Sequence, residues 1–345
     1  MKKFIVKLAV FLIVLGAVLA LLEIGFRAKP TTFKNKYEGL ERYAADIELL
    51  MLGHSHANEG FDASATQHRS YNMAVGFQNV YFDDFILGQF IDRMDSLKCV
   101  AIAASYYHFY NEVPGLDDMC GEDLFNCVKY HLYWGLDSLK GEKIPASPNY
   151  NLEILNNPAK SYLTMLGYYL SGKAWSKIEA EMNEKFMEYG FEGNGTICDK
   201  KYLDENGLFY ANVHKPEYID GRPAIDGSYN YGLYRNIVES CGDKGVNTAI
   251  ILFPCWNTYV DNLDTVQLAD TRRMMAELAA GYDNCIVLDH ISDHRFEEGD
   301  FHDAIHLNRF GAAKMARIIE NELDSLGVFG HVNESQKMNC FSIFE

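Results

Sequence analysis

Short, almost wholly apolar runs separated by longer amphipathic stretches constrain the fold of this chain more than any other feature. Four such runs cover residues 47–52, 99–104, 248–253 and 285–288, and a shorter fifth covers 70–73. Strands that are apolar on both faces are typical of a parallel sheet, because helices cover such a sheet from either side. Amphipathic stretches with helical spacing lie at 80–96, 229–241, 263–280 and 309–326. This alternation predicts an α/β three-layer sandwich around a central, mostly parallel sheet.

The middle of the chain breaks the alternation. Between residues 113 and 226 the sequence is rich in Tyr, Trp, Met and Asn, with helical patterns at 123–140 and 159–189. We interpret this stretch as a helical, aromatic insertion on the core sheet. Ligands of open α/β sheets bind beyond the carboxyl ends of the strands, so an insertion there commonly supplies a lid or a substrate cleft.

The amino terminus has the pattern of an export signal. Lys2, Lys3 and Lys7 precede an unbroken apolar run at residues 8–22. The run is short for a spanning helix of ~20 residues, but residues 4–6 extend it if Lys7 snorkels to the headgroups. The pattern of small residues for cleavage is poor. We therefore expect residues 1–28 to be a retained membrane anchor, with a cleaved signal peptide and secretion as the open alternative, and residues 29–345 to form an exported domain.

Charge and cysteine content bound the partners and the compartment. A formal net charge of −17, with no basic stripe that reverses it locally, excludes nucleic acid as a partner. The eight cysteines would permit disulfides outside the cytoplasm, but their spacing assigns no pair.

The first candidate for chemistry is a serine at the end of a predicted strand. The run at 47–52 breaks at Gly53, and Ser55 follows two residues later. Glycine lets the chain turn sharply, and a serine at a strand tip can project its hydroxyl into a cleft beside backbone N–H groups. Taken alone, a serine at the end of a strand is more often a helix N-cap.

The second candidate lies just before the last predicted helix. Asp303 and His306 are three residues apart in the segment 301–308. In a turn of that length the carboxylate can orient the imidazole, which leaves the other ring nitrogen to take a proton from a serine. As isolated residues they would read as capping and surface groups.

Together these segments resemble the SGNH (GDSL-like) hydrolases, and within them the exported, membrane-anchored proteins that modify bacterial envelope polysaccharides. Gly53-His54-Ser55 matches the nucleophile block, although His54 departs from it, and Gly76 matches the block whose N–H joins the oxyanion hole. Asp303 and His306 match the final block. The resemblance implies an SGNH or flavodoxin-like fold, Ser55, Asp303 and His306 as catalytic residues, Ser55 and Gly76 as oxyanion donors, and no cofactor or metal.

One block of that pattern is absent. After its next strand the family has an asparagine that completes the oxyanion hole, whereas here the strand at 99–104 runs into Ser105 and Tyr106, and Asn111 comes several residues late. Loss of one such donor costs roughly 100- to 1000-fold in turnover. Ser105 or Tyr106 is the candidate replacement.

The resemblance predicts a serine-dependent ester hydrolase or O-acyltransferase, of the acetyl-ester class, that acts on an envelope glycan. Its other partners would be the membrane, through the amino-terminal helix, and a membrane protein that delivers the acyl donor. The sequence leaves hydrolysis and transfer open, as well as the acyl group and the glycan.

Two other functions remain open. A metal-dependent hydrolase would draw its ligands from the acidic and histidine residues near the carboxyl terminus, with two more histidines beside the serine: Asp289, His290, Asp293, His294, His302, Asp303, His306, His54 and His56. A non-catalytic glycan-binding scaffold would use aromatic side chains for stacking: Tyr106, Tyr107, Tyr110, Trp134, Trp175 and Tyr210.

Overall fold

The computed structural model describes residues 2–156, 188–219 and 222–330. The chain divides into two compact units. One comprises Met1–Tyr37 and Pro114–Glu184, and the other comprises Glu38–Val113 and Lys185–Glu345. Part of the stretch predicted as an insertion thus belongs to the first unit, while residues 185–226 group with the second.

The described residues form α-helices and β-strands that alternate along most of the chain. In chain order they are α1 (Lys2–Ala28), α2 (Thr32–Tyr43), β1 (Leu49–Leu52), α3 (Ser55–Gly60), β2 (Ser70–Asn72), α4 (Val80–Phe90), β3 (Cys99–Ala104), α5 (Gly121–Trp134), β4 (Ser138–Leu139), β5 (Glu142–Lys143), α6 (Pro148–Asn151), α7 (Glu153–Asn156), α8 (Lys200–Val213), β6 (Tyr218–Ile219), β7 (Arg222–Pro223), α9 (Ser228–Asp243), β8 (Asn247–Leu252), α10 (Asn257–Val260), α11 (Thr265–Gly281), β9 (Cys285–Asp289) and α12 (Arg309–Ser325).

The second unit is built on a five-stranded sheet. Its strand order is β2-β1-β3-β8-β9, and every neighbouring pair is parallel. The predicted α/β three-layer fold with a parallel central sheet is confirmed. This is the doubly wound order in which the chain reverses direction across the sheet between β1 and β3, and ligands of such folds bind beyond the carboxyl ends of the strands at that switch point.

Both faces of the sheet are buried, which explains why the strands are apolar throughout. Alternate residues of a strand point to opposite faces. On one face Met51 and Ile251 share a core with Met315 and Ile319 of α12. Ile250, next to Ile251, is equally buried and must point the other way, where α9 packs against β8.

The first unit contains α1, which is long and apolar enough to cross a membrane. Its length and composition fit a membrane anchor or a signal sequence. Near the carboxyl end of this helix, the Glu23 carboxylate accepts the backbone N–H groups of Glu153 (3.0 Å) and Ile154 (2.9 Å). Glu153 also forms a buried ion pair with Lys129 of α5. These contacts connect α1 to the first turn of α7.

Several predicted helices end earlier than their sequence pattern. The helix predicted at 123–140 ends at Trp134, because Gly135 takes a left-handed conformation (φ 74°) that stops it. The helix predicted at 80–96 ends at Phe90 and continues as the short 3₁₀ turn Ile91–Arg93. The helix predicted at 159–189 falls almost entirely outside the described residues.

The seven described cysteines are all free thiols.

Asn308 joins the last helix to the loop before it. Its Oδ1 accepts the backbone N–H groups of Phe310 (2.9 Å) and Gly311 (3.1 Å), which caps α12. Its Nδ2 donates to the carbonyls of Gly299 (2.7 Å) and Phe301 (3.3 Å). Because Asn308 is fully buried, water cannot take over these four hydrogen bonds when the side chain is removed.

We expect Asn308→Ala to lower the free energy of unfolding by about 2–4 kcal/mol, since a cap and two buried donors are lost together. Denaturant unfolding of the full-length protein in detergent measures the change. Asn262→Ala serves as the control, because Asn262 is exposed and its side-chain amide donates to the carbonyl of Thr258, one helical turn back. Equal effects of the two substitutions would contradict this role.

Candidate active site

The turn after β1 lies at the switch point of the sheet. Gly53 has a φ of 115°, and a Cβ there would lie 2.8 Å from the Cβ of Ala103 and 2.9 Å from its backbone N and O. Only glycine therefore lets β1 approach β3 so closely while the chain turns. His54 then caps α3, and Ser55 is the first residue of that helix, partly exposed at the carboxyl edge of the sheet.

The structure brings Ser55, Asp303 and His306 into one hydrogen-bonded chain. Ser55 Oγ lies 2.8 Å from His306 Nε2, and His306 Nδ1 lies 2.8 Å from Asp303 Oδ2. The other carboxylate oxygen, Asp303 Oδ1, accepts the backbone N–H groups of Ile305 (2.9 Å) and His306 (2.8 Å). A hydroxyl, an imidazole and a buried carboxylate in this order can activate the hydroxyl as a nucleophile. The catalytic role of the three residues stays a prediction.

The electrostatics around Asp303 and His306 favour a charged carboxylate and a basic imidazole. Burial acts to raise the pKa of Asp303, but the hydrogen bond and charge of His306 outweigh it and lower the pKa to about 2. For His306, burial acts to lower the pKa, and the hydrogen bond and charge of Asp303 together with the charge of Glu59 raise it above its ordinary value. Asp303 is therefore ionised at neutral pH and stabilises the protonated form of His306.

A second carboxylate and imidazole pair lies beside the first. Glu59 accepts a hydrogen bond from His302 Nε2, and the His302 ring stacks on the His306 ring at an interplanar angle of 7° and a centroid distance of 5.4 Å. Glu59 lies one helical turn after Ser55. The bridge between Phe301 and Leu307 and the bond from His302 N–H to the His306 carbonyl (3.2 Å) set the two imidazoles side by side. Sequence reasoning missed Glu59, although the spacing Ser55-x-x-x-Glu59 places both on one helix face.

A buried polar network fixes the turn that carries Ser55. The Asp83 Oδ1 atom accepts the Gly53 N–H (2.8 Å) and the Gln78 side-chain amide. His108 Nε2 donates to the Gln78 carbonyl (3.3 Å), so the neutral ring accepts at Nδ1 from the Tyr234 hydroxyl (2.8 Å). Burial lowers the pKa of His108 to about 4 and so keeps it neutral. Helix α9 is thereby connected to the turn that carries Ser55 through the loop after β3.

His54 and His56, which the sequence offered as metal ligands, lie buried beside Ser55. Burial lowers the pKa of both imidazoles well below the ordinary value. His54 Nδ1 accepts the backbone N–H of His56 (3.4 Å), while His54 Nε2 and both ring nitrogens of His56 find no hydrogen-bond partner among the described residues. Among the described residues, neither histidine belongs to a group whose ligand atoms converge as a metal site would.

The remaining predicted metal ligands are bound in ion pairs. His290 contacts Asp293 (3.0 Å) and Glu322 (3.0 Å), and Arg295 bridges both carboxylates. Asp289 pairs with Arg272 and His294 is exposed. Within residues 2–156, 188–219 and 222–330, the group that converges as a metal site would is Glu59 with His302 and His306.

Gly76 and the candidate oxyanion replacements have definite positions. The bond from Val75 N–H to the Gly53 carbonyl (3.1 Å) brings the segment of Gly76 to the turn that carries Ser55. The Tyr106 hydroxyl donates to the carbonyl of His214, so it is committed elsewhere. Ser105 is buried directly after β3. The role of Gly76 stays a prediction, and the structure gives no support to Tyr106 as an oxyanion donor.

The aromatic residues offered for sugar stacking are dispersed. Tyr107 and Tyr210 both pack against the ring of His214, with centroid distances of 4.3 Å and 5.7 Å. Tyr110 donates its hydroxyl to Asp270. Trp134 belongs to the first unit, where it packs against Tyr37, and Trp175 lies outside the described residues. Tyr107, Tyr210 and His214 thus form a partly exposed aromatic cluster in the second unit.

Comparison with known proteins finds solved structures that are similar to this chain at low sequence identity. No family model and no curated protein matches the chain. Among solved structures, one described as a "putative platelet activating factor" from Streptococcus pneumonia has 9% sequence identity and a TM-score of 0.40, and covers 89% of this chain and 99% of its own. A "putative acylhydrolase" from Bacteroides fragilis NCTC 9343 has 9% identity and a TM-score of 0.36, and covers 84% and 98%. Both likenesses are too distant to assign an activity.

The buried carboxyl of Asp83 should make stability depend on pH. Burial raises its pKa to about 7, against 3.8 for an ordinary aspartate. Between these values the folded state binds a proton that the unfolded state has lost, so wild-type stability falls as the pH rises from 4 to 7. Asp83→Asn keeps an oxygen acceptor for Gly53 but cannot titrate.

We expect the stability of Asp83→Asn relative to wild type to increase over this pH range, at about 1.4 kcal/mol for each unit of pKa difference. Denaturant unfolding of both proteins at constant ionic strength, at several pH values, measures it. Parallel stability curves for the two proteins would show that Asp83 does not titrate in this range.

Proposed function

We propose that this chain is a serine-dependent ester hydrolase or O-acyltransferase, with Ser55 as nucleophile, His306 as general base and Asp303 as the group that orients His306. The observation that carries the proposal is the chain of contacts from Ser55 Oγ through both ring nitrogens of His306 to Asp303, with 2.8 Å at each step. Ser55 is partly exposed, so an ester can reach it.

The first half-reaction acylates the serine. His306 Nε2 takes the proton of Ser55 Oγ as the oxygen attacks the ester carbonyl, and the backbone N–H groups of Ser55 and Gly76 bind the resulting oxyanion. The tetrahedral intermediate collapses, the ester C–O bond breaks, and the leaving alcohol takes the proton from His306. Asp303 holds the imidazole with Nε2 toward the serine and stabilises its protonated form.

The second half-reaction returns the free serine. His306 removes a proton from water or from an acceptor hydroxyl, which attacks the acyl-serine carbonyl, and Ser55 leaves with the proton that His306 gives back. Water gives hydrolysis, and a sugar hydroxyl gives O-acyl transfer. The two outcomes use the same residues and differ in how the cleft excludes water.

We further propose that the substrate is an acyl ester, of the acetyl class, on a glycan of the cell envelope. The resemblance to envelope-modifying SGNH proteins motivates this choice, and the apolar helix α1 would anchor the enzyme with its second unit outside the cytoplasm. A transferase of this kind needs a membrane partner that supplies acyl groups. The partly exposed rings of Tyr107 and Tyr210 are suited to contact a sugar.

A fluorophosphonate probe tests the activated serine directly, because Ser55 Oγ attacks the phosphorus, fluoride leaves, and the serine keeps a stable phosphonate ester. We expect the full-length protein in detergent to label, Ser55→Ala to lose labelling, and His306→Ala and Asp303→Asn to slow it by about 10²–10⁴-fold. Ser64→Ala is the matched control, since Ser64 is an exposed serine whose hydroxyl donates to Asp62.

The outcomes separate the candidate functions. Labelling that persists in Ser55→Ala would refute the proposed nucleophile. Wild-type protein that does not label, yet binds polysaccharide, would favour the non-catalytic scaffold. Where a protein labels, mass spectrometry of the adduct peptide identifies the modified residue.

The rate of labelling should also depend on the protonation of His306. The base must be neutral, and Asp303 and Glu59 raise its pKa above the ordinary 6.5 despite burial. The second-order labelling rate should therefore rise with pH through a midpoint above 6.5 and be lost as the pH falls below it. Labelling rates measured from quenched time points at several pH values between about 5 and 9 locate the midpoint. A midpoint below 6.5 would contradict the electrostatic account.

A further inference from the structure

We propose that Glu59, His302 and His306 form a binding site for a divalent transition metal such as Zn²⁺, and that metal bound there switches the catalytic serine off. The metal site itself does not depend on the proposed function. Its inhibitory effect does, since it acts through the contact between His306 and Ser55.

The three residues converge because two secondary structures meet. Glu59 lies on α3 one turn after Ser55, and His302 and His306 face each other across the short turn closed by the Phe301–Leu307 bridge. One potential ligand atom from each residue lies within 4.8 Å of the other two. All three side chains are partly exposed, so an ion can reach them from solvent.

The donor set suits zinc. One carboxylate oxygen and two imidazole nitrogens are ligands that Zn²⁺ accepts, and three protein ligands leave a fourth position open. Ligands of a tetrahedral ion lie roughly 3.3 Å apart at the usual bond lengths. The ligand atoms lie within 4.8 Å of one another, so they move closer when an ion binds, while the backbone bond between His302 and His306 holds the two residues together.

Asp303 provides the outer support that metal-binding histidines have. A histidine ligand commonly donates its second ring N–H to a carboxylate, which fixes its tautomer and strengthens it as a ligand. His306 Nδ1 bonds Asp303 Oδ2 at 2.8 Å, which leaves its Nε2 atom for the ion. His302 Nδ1 lies 3.8 Å from the same oxygen, too far for a hydrogen bond, and its Nε2 atom, which donates to Glu59, gives up that proton when the ion binds. The charges of Glu59 and Asp303 balance that of the metal.

Metal binding and the catalytic contact exclude each other. His306 Nε2 is the atom that meets Ser55 Oγ at 2.8 Å, and a nitrogen lone pair cannot accept a proton and bind a metal ion together. An ion at this site therefore removes the base from the serine. We infer that it inhibits rather than catalyses.

The test uses full-length protein in detergent, without a polyhistidine tag, and ZnCl₂ as the probe. Isothermal titration calorimetry measures Zn²⁺ binding to the wild type, Glu59→Gln and His302→Asn. We expect one site in the wild type and at least tenfold weaker binding in each variant. Ser55→Ala should still bind. His294→Ala is the control for weak binding to exposed imidazoles, and its affinity should match the wild type.

Fluorophosphonate labelling of the same proteins measures the effect on the serine. We expect saturating Zn²⁺ to slow wild-type labelling at least tenfold, EDTA to restore it, and Glu59→Gln and His302→Asn to need at least tenfold more Zn²⁺ for the same effect. Equal sensitivity of the variants and the wild type would overturn the proposal, as would faster labelling with Zn²⁺. If no protein labels at all, the proposed function fails, and calorimetry still decides the metal site.

Discussion

The close approach of β1 to β3 at Gly53 is the constraint on which the rest of the site depends. Parallel pairing brings the carboxyl ends of both strands to one edge, and the order of the sheet makes that edge a switch point. A side chain at position 53 would collide with Ala103, so the chain can turn there only as glycine. Because α3 starts two residues later, the position of Ser55 is fixed by packing within the sheet.

Buried polar contacts transmit this rigidity from the scaffold to the site. Asp83 of α4 binds the N–H of Gly53, and His108 and Gln78 extend the network to Tyr234 of α9. Hydrogen bonds inside a protein strengthen one another, and a buried polar group without a partner is costly. Such a network therefore tolerates few arrangements. On the other side of the sheet, Asn308 fixes the loop that carries the proposed base.

Much of this architecture could be predicted from sequence, for identifiable reasons. Strands buried on both faces are apolar throughout, which made their positions readable to within two residues. Ser55 stood out because it follows the end of a strand, and Asp303 and His306 stood out because they are three residues apart just before the last helix. The contacts that were missed join residues remote in sequence: Glu59 meets His302 across 243 positions, and the Tyr106 hydroxyl reaches a carbonyl 108 positions away. Local sequence patterns do not predict contacts between residues so far apart in the chain.

The strength of the proposed base and its exposure to metal ions have one physical origin. A general base near neutral pH is made stronger by negative charge, and His306 has two carboxylates nearby, Asp303 in contact and Glu59 through His302. The same two charges and the second imidazole make the pocket attractive to a soft divalent ion. Removing Glu59 would weaken both properties, whereas moving His302 away would remove a ligand and leave the Asp303 contact intact. Base strength and metal affinity can therefore be separated at His302 and not at Glu59.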